Sequence, residues 1–493
     1  MKANRIIRAV TAVLFALSSS VALASESFWV FFTDKAIVSE AEYQTALAGL
    51  AATYNPEAIE RRQLRGTGDA LFGMADMPVA DAYVQGVLGT GARLRVESSW
   101  LNAISIEADA SQVTAIAALP FVDHLQPVAR LSAPEAVVEG EAVAAPLAPF
   151  GFYGSAEGQL TQINIPAVHQ LGYTGAGVTI GVLDTGFVRT HQAFNEAGHV
   201  LNVIAEYDFL NSDGDTSDTT NGQHQHGTYI LGTMGGYRPN TYVGGAYDAA
   251  FLLAKTESVP LEAPFEEDLW VDGLEWLEAN GADLVTSSLG YIDWYTQAQL
   301  NGNTAVTTIA ADLAAALGLP IINAAGNAGH DANPLTSSLI APADGDLVIT
   351  VGAVDSAGNI AGFSSSGPTA DGRIKPEVLA LGVGTLTVNP NSTTSYLGVS
   401  GTSLSTPLVA AAVALIVQAH PTWTVAQIRE ALFATASQAL TPDPLFVRGY
   451  GIINTLAAVN YSFESESLVP EPSLVALLLL GVGLTRRFHG GRL

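Results

Sequence analysis

The stretch 221–236, NGQHQHGTYILGTMGG, places two histidines one residue apart in a polar run flanked by glycine. Histidine titrates near neutrality, so either His224 or His226 has the chemistry of a proton carrier. Two other stretches hold groups that could work with one. The apolar run GVTIGVLDTG reads as a buried strand ending on Asp184, and VSGTSLSTPLVAAAVALIVQAH sets Ser403 ahead of an Ala-rich apolar helix. A serine hydroxyl is a weak nucleophile until a base takes its proton. A histidine can accept that proton through Nε2 and return it to the leaving group. A carboxylate on the other ring nitrogen then fixes the tautomer and stabilises the imidazolium. Each residue has a plainer reading alone, Asp184 as a turn cap and Ser403 as a helix N-cap. Together they read as an acyl-transfer site.

The elements that must position these groups alternate along 150–463. Strands are expected ending at Asp184 and over 283–290, 319–325 and 346–354; helices are expected over 268–282 and 303–318. That alternation implies a parallel sheet covered by helices on both faces. Chemistry in such a sheet gathers beyond the carboxyl ends of the strands, where Asp184, Gly290 and Asn327 fall. Residues 25–130 read as a smaller α+β module, roughly β-α-β-β-α-β, with strands over 27–34 and 121–128, two more within 92–109, and helices over 40–54 and 110–119. A further helix is expected over 79–88. Residues 131–149 are rich in Ala, Pro and Glu without periodicity, and are expected to be an exposed, protease-accessible linker.

Length and composition narrow the class. The chain has 493 residues, enough for two domains and a sizeable core. Its net charge of −27 disfavours a phosphate-binding surface of clustered Lys and Arg, so nucleic acid is not an expected partner. With no cysteine, disulfides, a thiolate nucleophile and a Cys-based zinc site are excluded.

The order Asp, His, Ser, each in its own glycine-bearing motif, resembles that of the subtilases, the subtilisin-like serine endopeptidases. The resemblance covers about 155–458, including GYGIINTLAAV at 449–459. It implies a subtilisin-like α/β fold, a parallel sheet with helices on both faces, preceded by a small α+β ferredoxin-like prodomain. It selects His226, through His226-Gly227-Thr228, as the base, and leaves His224 as a solvated loop residue. It adds Asn327, in IINAAGNAGH, as an oxyanion donor beside the Ser403 backbone N–H. Ser288-Leu289-Gly290 and Ala324-Ala325-Gly326 match its two substrate-binding segments, which would pair with an extended peptide. Their small side chains suggest an open primary pocket that tolerates large apolar residues. Pro407 is expected in the first turn of the Ser403 helix. The N-terminal module resembles a subtilase propeptide, an intramolecular inhibitor cut away near 131–149.

The two ends read as processing signals. Residues 1–24 have the basic start, apolar run and Ala22-Leu23-Ala24 ending of a secretory signal, cut by signal peptidase. Residues 469–493 run Pro470-Glu471-Pro472, a short apolar helix, then Arg486 and Arg487, and resemble the PEP-CTERM signal handled by exosortase-type enzymes. An exported, zymogenic serine endopeptidase of a Gram-negative cell envelope or surface, acting on protein or peptide substrates, is the expectation. A non-catalytic surface-binding protein on the same fold is the alternative. No cofactor is expected. NSDGDTSD at 211–218 is read as an exposed acidic turn, with a structural Ca²⁺ as the sharper alternative. Glu257, Glu262, Glu266, Glu267 and Asp268 are read as a solvated face, or as a cleft rim favouring basic substrates.

Overall fold

The computed structural model describes residues 26–68, 70–129, 137–143, 151–259 and 267–463, with 137–143 described by their backbone. The expected end signals at 1–24 and 469–493 lie outside these residues, as do Glu262 and Glu266. All the elements below belong to one compact unit ending at Val459.

The first domain runs β1 (Glu26–Phe32), α1 (Glu40–Thr53), α2 (Pro56–Arg65), α3 (Asp81–Leu88), β2 (Arg93–Ser98), β3 (Ala103–Ala108), α4 (Ala110–Ala117) and β4 (Val122–Pro127). Its sheet has the order β2-β3-β1-β4 with antiparallel pairing throughout, the ferredoxin-like arrangement. One face carries Val30, Phe32, Ile104 and Ile106 onto α3 and α4. Helix α2 was not expected. Its buried positions, Ala58, Arg61, Arg62 and Arg65, have helical spacing but are mostly charged, so apolar periodicity passes over it. The local signals are Asn55, whose side chain caps the helix, and Pro56 in its first turn.

Part of the expected linker is a strand. Val137–Val143 (β5) pairs antiparallel with the strand that leads to Ser403. Backbone hydrogen bonding to a sheet edge needs no side-chain alternation, which is why composition gave no sign of it.

The second domain is built on a seven-stranded, wholly parallel sheet. Its strands are β6 (Thr179–Asp184), β7 (Asn202–Asp208), β8 (Ala250–Lys255), β9 (Leu284–Ser287), β10 (Ile321–Ala324), β11 (Ile349–Val354) and β12 (Val378–Leu381), in the order β12-β11-β10-β9-β6-β8-β7. Strands β9 to β12 are buried along their whole length, as a sheet covered on both faces requires. Its longer helices are α5 (Gln225–Gly235), α6 (Glu267–Ala279), α7 (Val306–Ala316), α8 (Thr402–Ala419) and α9 (Val425–Thr435). A smaller sheet, β13 (Thr385–Val388), β14 (Tyr396–Ser400) and β5, precedes α8.

Helix α6 is the platform on which the first domain sits, and it is acidic. Glu267 accepts hydrogen bonds from Trp29 Nε1 at 3.1 Å, Ala129 N at 3.2 Å and Tyr295 Oη at 2.8 Å. Asp268 accepts from Arg95 Nε at 2.8 Å and Ser105 Oγ at 2.6 Å. Glu275 accepts from the backbone N–H groups of Ser99 and Trp100. Glu278 is gripped by Arg61 and Arg62. Arg61 also donates to Ala282 O at 2.6 Å, just beyond the end of α6, where the helix dipole favours a cation.

For its described members this corrects the reading of the acidic run as a solvated face or substrate rim. Glu257, Glu267 and Asp268 are fully buried. Glu257 is bonded to Tyr291, and the other two to the first domain. A carboxylate face buried against its partners has the same composition as one facing water, so sequence alone does not distinguish them.

Candidate active site

Strand β6 delivers Asp184 to the carboxyl edge of the sheet, completely buried. Its Oδ1 accepts from Thr185 N at 2.7 Å and lies 2.8 Å from His226 Nδ1. His226 is the second residue of α5. The close approach depends on Gly227, where a Cβ would lie 2.3 Å from Gly186 O and 3.1 Å from the Asp184 Cβ. Thr228 ties the two elements, its hydroxyl donating to His224 O at 2.6 Å and accepting from Val188 N at 2.9 Å. Sequence reading had not given Thr228 a role. Burial alone would push the His226 imidazole down. The Asp184 charge and hydrogen bond outweigh it and hold the ring above its ordinary pKa.

His224 is buried, which corrects the solvated reading. It forms the N-cap position of α5, with its ring beside the backbones of Asp218 and Pro390. Burial lowers its pKa, and no carboxylate is hydrogen-bonded to its ring among the described residues. Asp184 reaches His226 instead.

Ser403 is the second residue of α8, the buried central helix, which packs against α5. Gly401 precedes that helix at φ 156°, in a region open to glycine. The Ser403 N–H is one of the donors that a helix N-terminus leaves without an intrahelical acceptor. Its Oγ has a long contact, 3.4 Å, to Ser288 O. No direct Ser403–His226 hydrogen bond forms among the described residues, and such bonds tighten when substrate is bound. Asn327 follows β10, and its Oδ1 accepts from Thr402 N at 2.8 Å and Thr402 Oγ1 at 2.9 Å. With the oxygen end committed to the residue before Ser403, the amide's donor end, Nδ2, is the one suited to a developing oxyanion.

Ser288-Leu289-Gly290 and Ala324-Ala325-Gly326 lie at the carboxyl ends of β9 and β10, which are neighbours in the sheet. Between them stands a residue that sequence reading missed. A Cβ on Gly290 would lie 2.3 Å from Ile340 Cδ1, and one on Gly326 would lie 3.3 Å from Ile340 Cγ1. The Ile340 side chain therefore fills the gap where an open pocket was expected. The two glycines that suggested an open pocket leave the room Ile340 takes.

Pro407 also departs from expectation. Helix α8 begins at Thr402, which puts Pro407 in the second turn, where its missing N–H leaves the Ser403 carbonyl without a helical donor. Ser288 Oγ donates to that carbonyl at 2.9 Å.

In the 211–218 loop, Asp213 and Asp215 accept from their own loop backbone, and the buried Lys255 ammonium lies 2.8 Å from Asp208 and 3.4 Å from Asp218. Among the described residues no group of three or more His, Asp or Glu is arranged to hold a metal ion.

Residues 175–451 match the model of the subtilase family (Peptidase S8), and residues 27–140 match a Peptidase S8 propeptide domain of Bacteroidota. The chain is 34% identical to a subtilisin of Bacillus pumilus over 301 residues, covering 61% of this chain and 98% of that protein. It is likewise 34% identical to subtilisin E of Bacillus subtilis, over 61% of this chain and 70% of that one. The fold is shared with fervidolysin of Fervidobacterium pennivorans, described as a keratinolytic enzyme related to subtilisin. That match has a TM-score of 0.63 at 19% identity and covers 90% of this chain and 62% of fervidolysin. The chain belongs to the subtilase family: it is a subtilisin-like serine protease that carries a propeptide domain ahead of its peptidase domain.

Proposed function

We propose that the protein is an exported serine endopeptidase that cuts peptide bonds through an acyl-enzyme and matures by removing its own first domain. The observation that carries this is the 2.8 Å contact between Asp184 and His226, on the element packed against the Ser403 helix. In this reading His226 Nε2 takes the Ser403 proton as Oγ attacks the scissile carbonyl, and returns it to the leaving amine. Asp184 holds the imidazolium. Asn327 Nδ2 and the Ser403 N–H receive the oxyanion. The substrate lies as an added strand along 288–290 and 324–326. Ile340 makes the pocket between them shallow, which favours small side chains before the scissile bond. No cofactor takes part in these steps. Export through residues 1–24, and sorting through 469–493 by an exosortase-type enzyme, complete the reading.

The experiment is to express the full-length precursor with and without Ser403→Ala and follow its mass. Loss of the first domain by wild type alone supports the reading. If both chains stay whole and neither cleaves a generic protein substrate, a non-catalytic binding role replaces it.

A further inference from the structure

The nucleophile's own carbonyl is held from outside its helix. In an α-helix the N–H of residue 407 would donate to the carbonyl of residue 403. Residue 407 is proline, which has no N–H, and its ring crowds that same carbonyl. Both Pro407 and Ser403 are buried, and a buried carbonyl without a donor is costly. The donor supplied is Ser288 Oγ, at 2.9 Å, from a side chain 5% exposed. The same residue's backbone oxygen receives the Ser403 hydroxyl at 3.4 Å. Two contacts thus join Ser288 to Ser403, one at its backbone carbonyl and one at its hydroxyl. Ser288 is also the first residue beyond β9, in a segment read as pairing with substrate.

We infer that Ser288 is a positioning residue. Its hydroxyl replaces the helical donor removed by Pro407 and fixes the backbone of Ser403 to the segment that binds substrate. This rests on the peptidase reading above. The role belongs to the hydroxyl and is separate from any backbone pairing with a peptide. It acts on the orientation of Oγ, and so on the rate of attack more than on ground-state binding.

Ser288→Ala is expected to lower kcat by about ten- to a hundredfold with KM changed less than about threefold, since small misplacements of a reacting group carry losses of that order. In the Pro407→Ala background an amide hydrogen is restored to the Ser403 carbonyl, and the same Ser288→Ala change is expected to cost less than about threefold. The full-length chains are allowed to mature, and then peptide kinetics and the rate of labelling by a fluorophosphonate probe are measured for all four corners of this cycle. Melting temperatures accompany them. An equal kcat loss in both backgrounds, or none in either, overturns the inference. So does a Ser288→Ala chain whose loss lies wholly in KM. A wild type that the probe does not label overturns the peptidase reading, and this inference with it. A wild type that labels normally isolates the fault to Ser288.

Discussion

Trp29 Nε1 donates to Glu267 Oε1 at 3.1 Å, so the first strand of the propeptide domain is bonded to a buried carboxylate of the peptidase domain. Burial pushes Glu267 up to about 8, Asp272 to about 7 and Glu275 to about 7. The groups facing them are also charged. Glu97 and Asp268 face Asp272; Lys35, lowered by burial to about 8, faces Glu275; Arg95 pairs with Asp268; Arg61 and Arg62 pair with Glu278. The raised carboxyls are neutral when docked at low pH and ionise as pH rises. Their contribution to docking is fully present below the ordinary carboxylate range and is lost as pH climbs through 7 to 8. The cleaved propeptide is expected to hold at pH 5.5 and to dissociate at least about tenfold more readily at pH 8.5. Inhibition of peptide hydrolysis by the retained propeptide, followed against pH, checks this. Glu267→Gln should flatten the profile, and a profile falling toward acid would contradict it.

The Arg61–Arg62–Glu278 contact is the buried charged clasp of the same interface, with Glu278 fully buried. Burial would raise the Glu278 carboxyl, but the two guanidiniums bring it below its ordinary value. Removing both arginines leaves a buried anion with no cation beside it and the Tyr54 hydroxyl as its remaining side-chain donor among the described residues. Arg61→Ala with Arg62→Ala is expected to weaken docking by about 3–5 kcal/mol. Limited proteolysis of the precursor carrying Ser403→Ala would show a first domain far more readily digested. Unchanged digestion would mean that the apolar contacts around Trp29 and Trp100 suffice.

Asp184 raises the pKa of His226, and a base must be neutral to act. Hydrolysis is therefore expected to rise with pH through a value above that of an ordinary histidine, about 6.5. Asp184→Asn should lower kcat by about 10⁴-fold by presenting the wrong tautomer. A pH–rate profile of kcat/KM for both chains measures each effect. An Asp184→Asn enzyme with wild-type kcat would remove Asp184 from the site.

Ile340 against Gly290 and Gly326 makes its own case for specificity. Ile340→Gly is expected to raise kcat/KM by about tenfold or more for peptides with Phe or Leu before the scissile bond, with little gain for Ala. A library of peptides differing at that position reads it directly. Equal gains for all side chains would place Ile340 outside the specificity pocket.

The sequence by itself singled out Asp184, His226 and Ser403 as candidates and determined most of the elements that carry them. They stood out because a carboxylate, an imidazole and a hydroxyl each fell in a distinct glycine-bearing motif, in the order Asp, His, Ser. The strands around them were legible because burial on both faces demands continuous apolar runs. Only the tertiary structure decided what the polar residues outside those motifs do. Arg61, Arg62 and Arg65 make a helix face as polar as any solvated one, yet it is buried because Glu278 and Asp283 meet it. Glu267 and Asp268 read as a surface until Trp29 and Arg95 covered them. Ile340 and Ser288 act through neighbours far away in sequence, a pocket gap in one case and the carbonyl opposite Pro407 in the other. Apolar periodicity reports where a chain leaves water. A buried polar contact depends on its partner, and the fold alone brings that partner near.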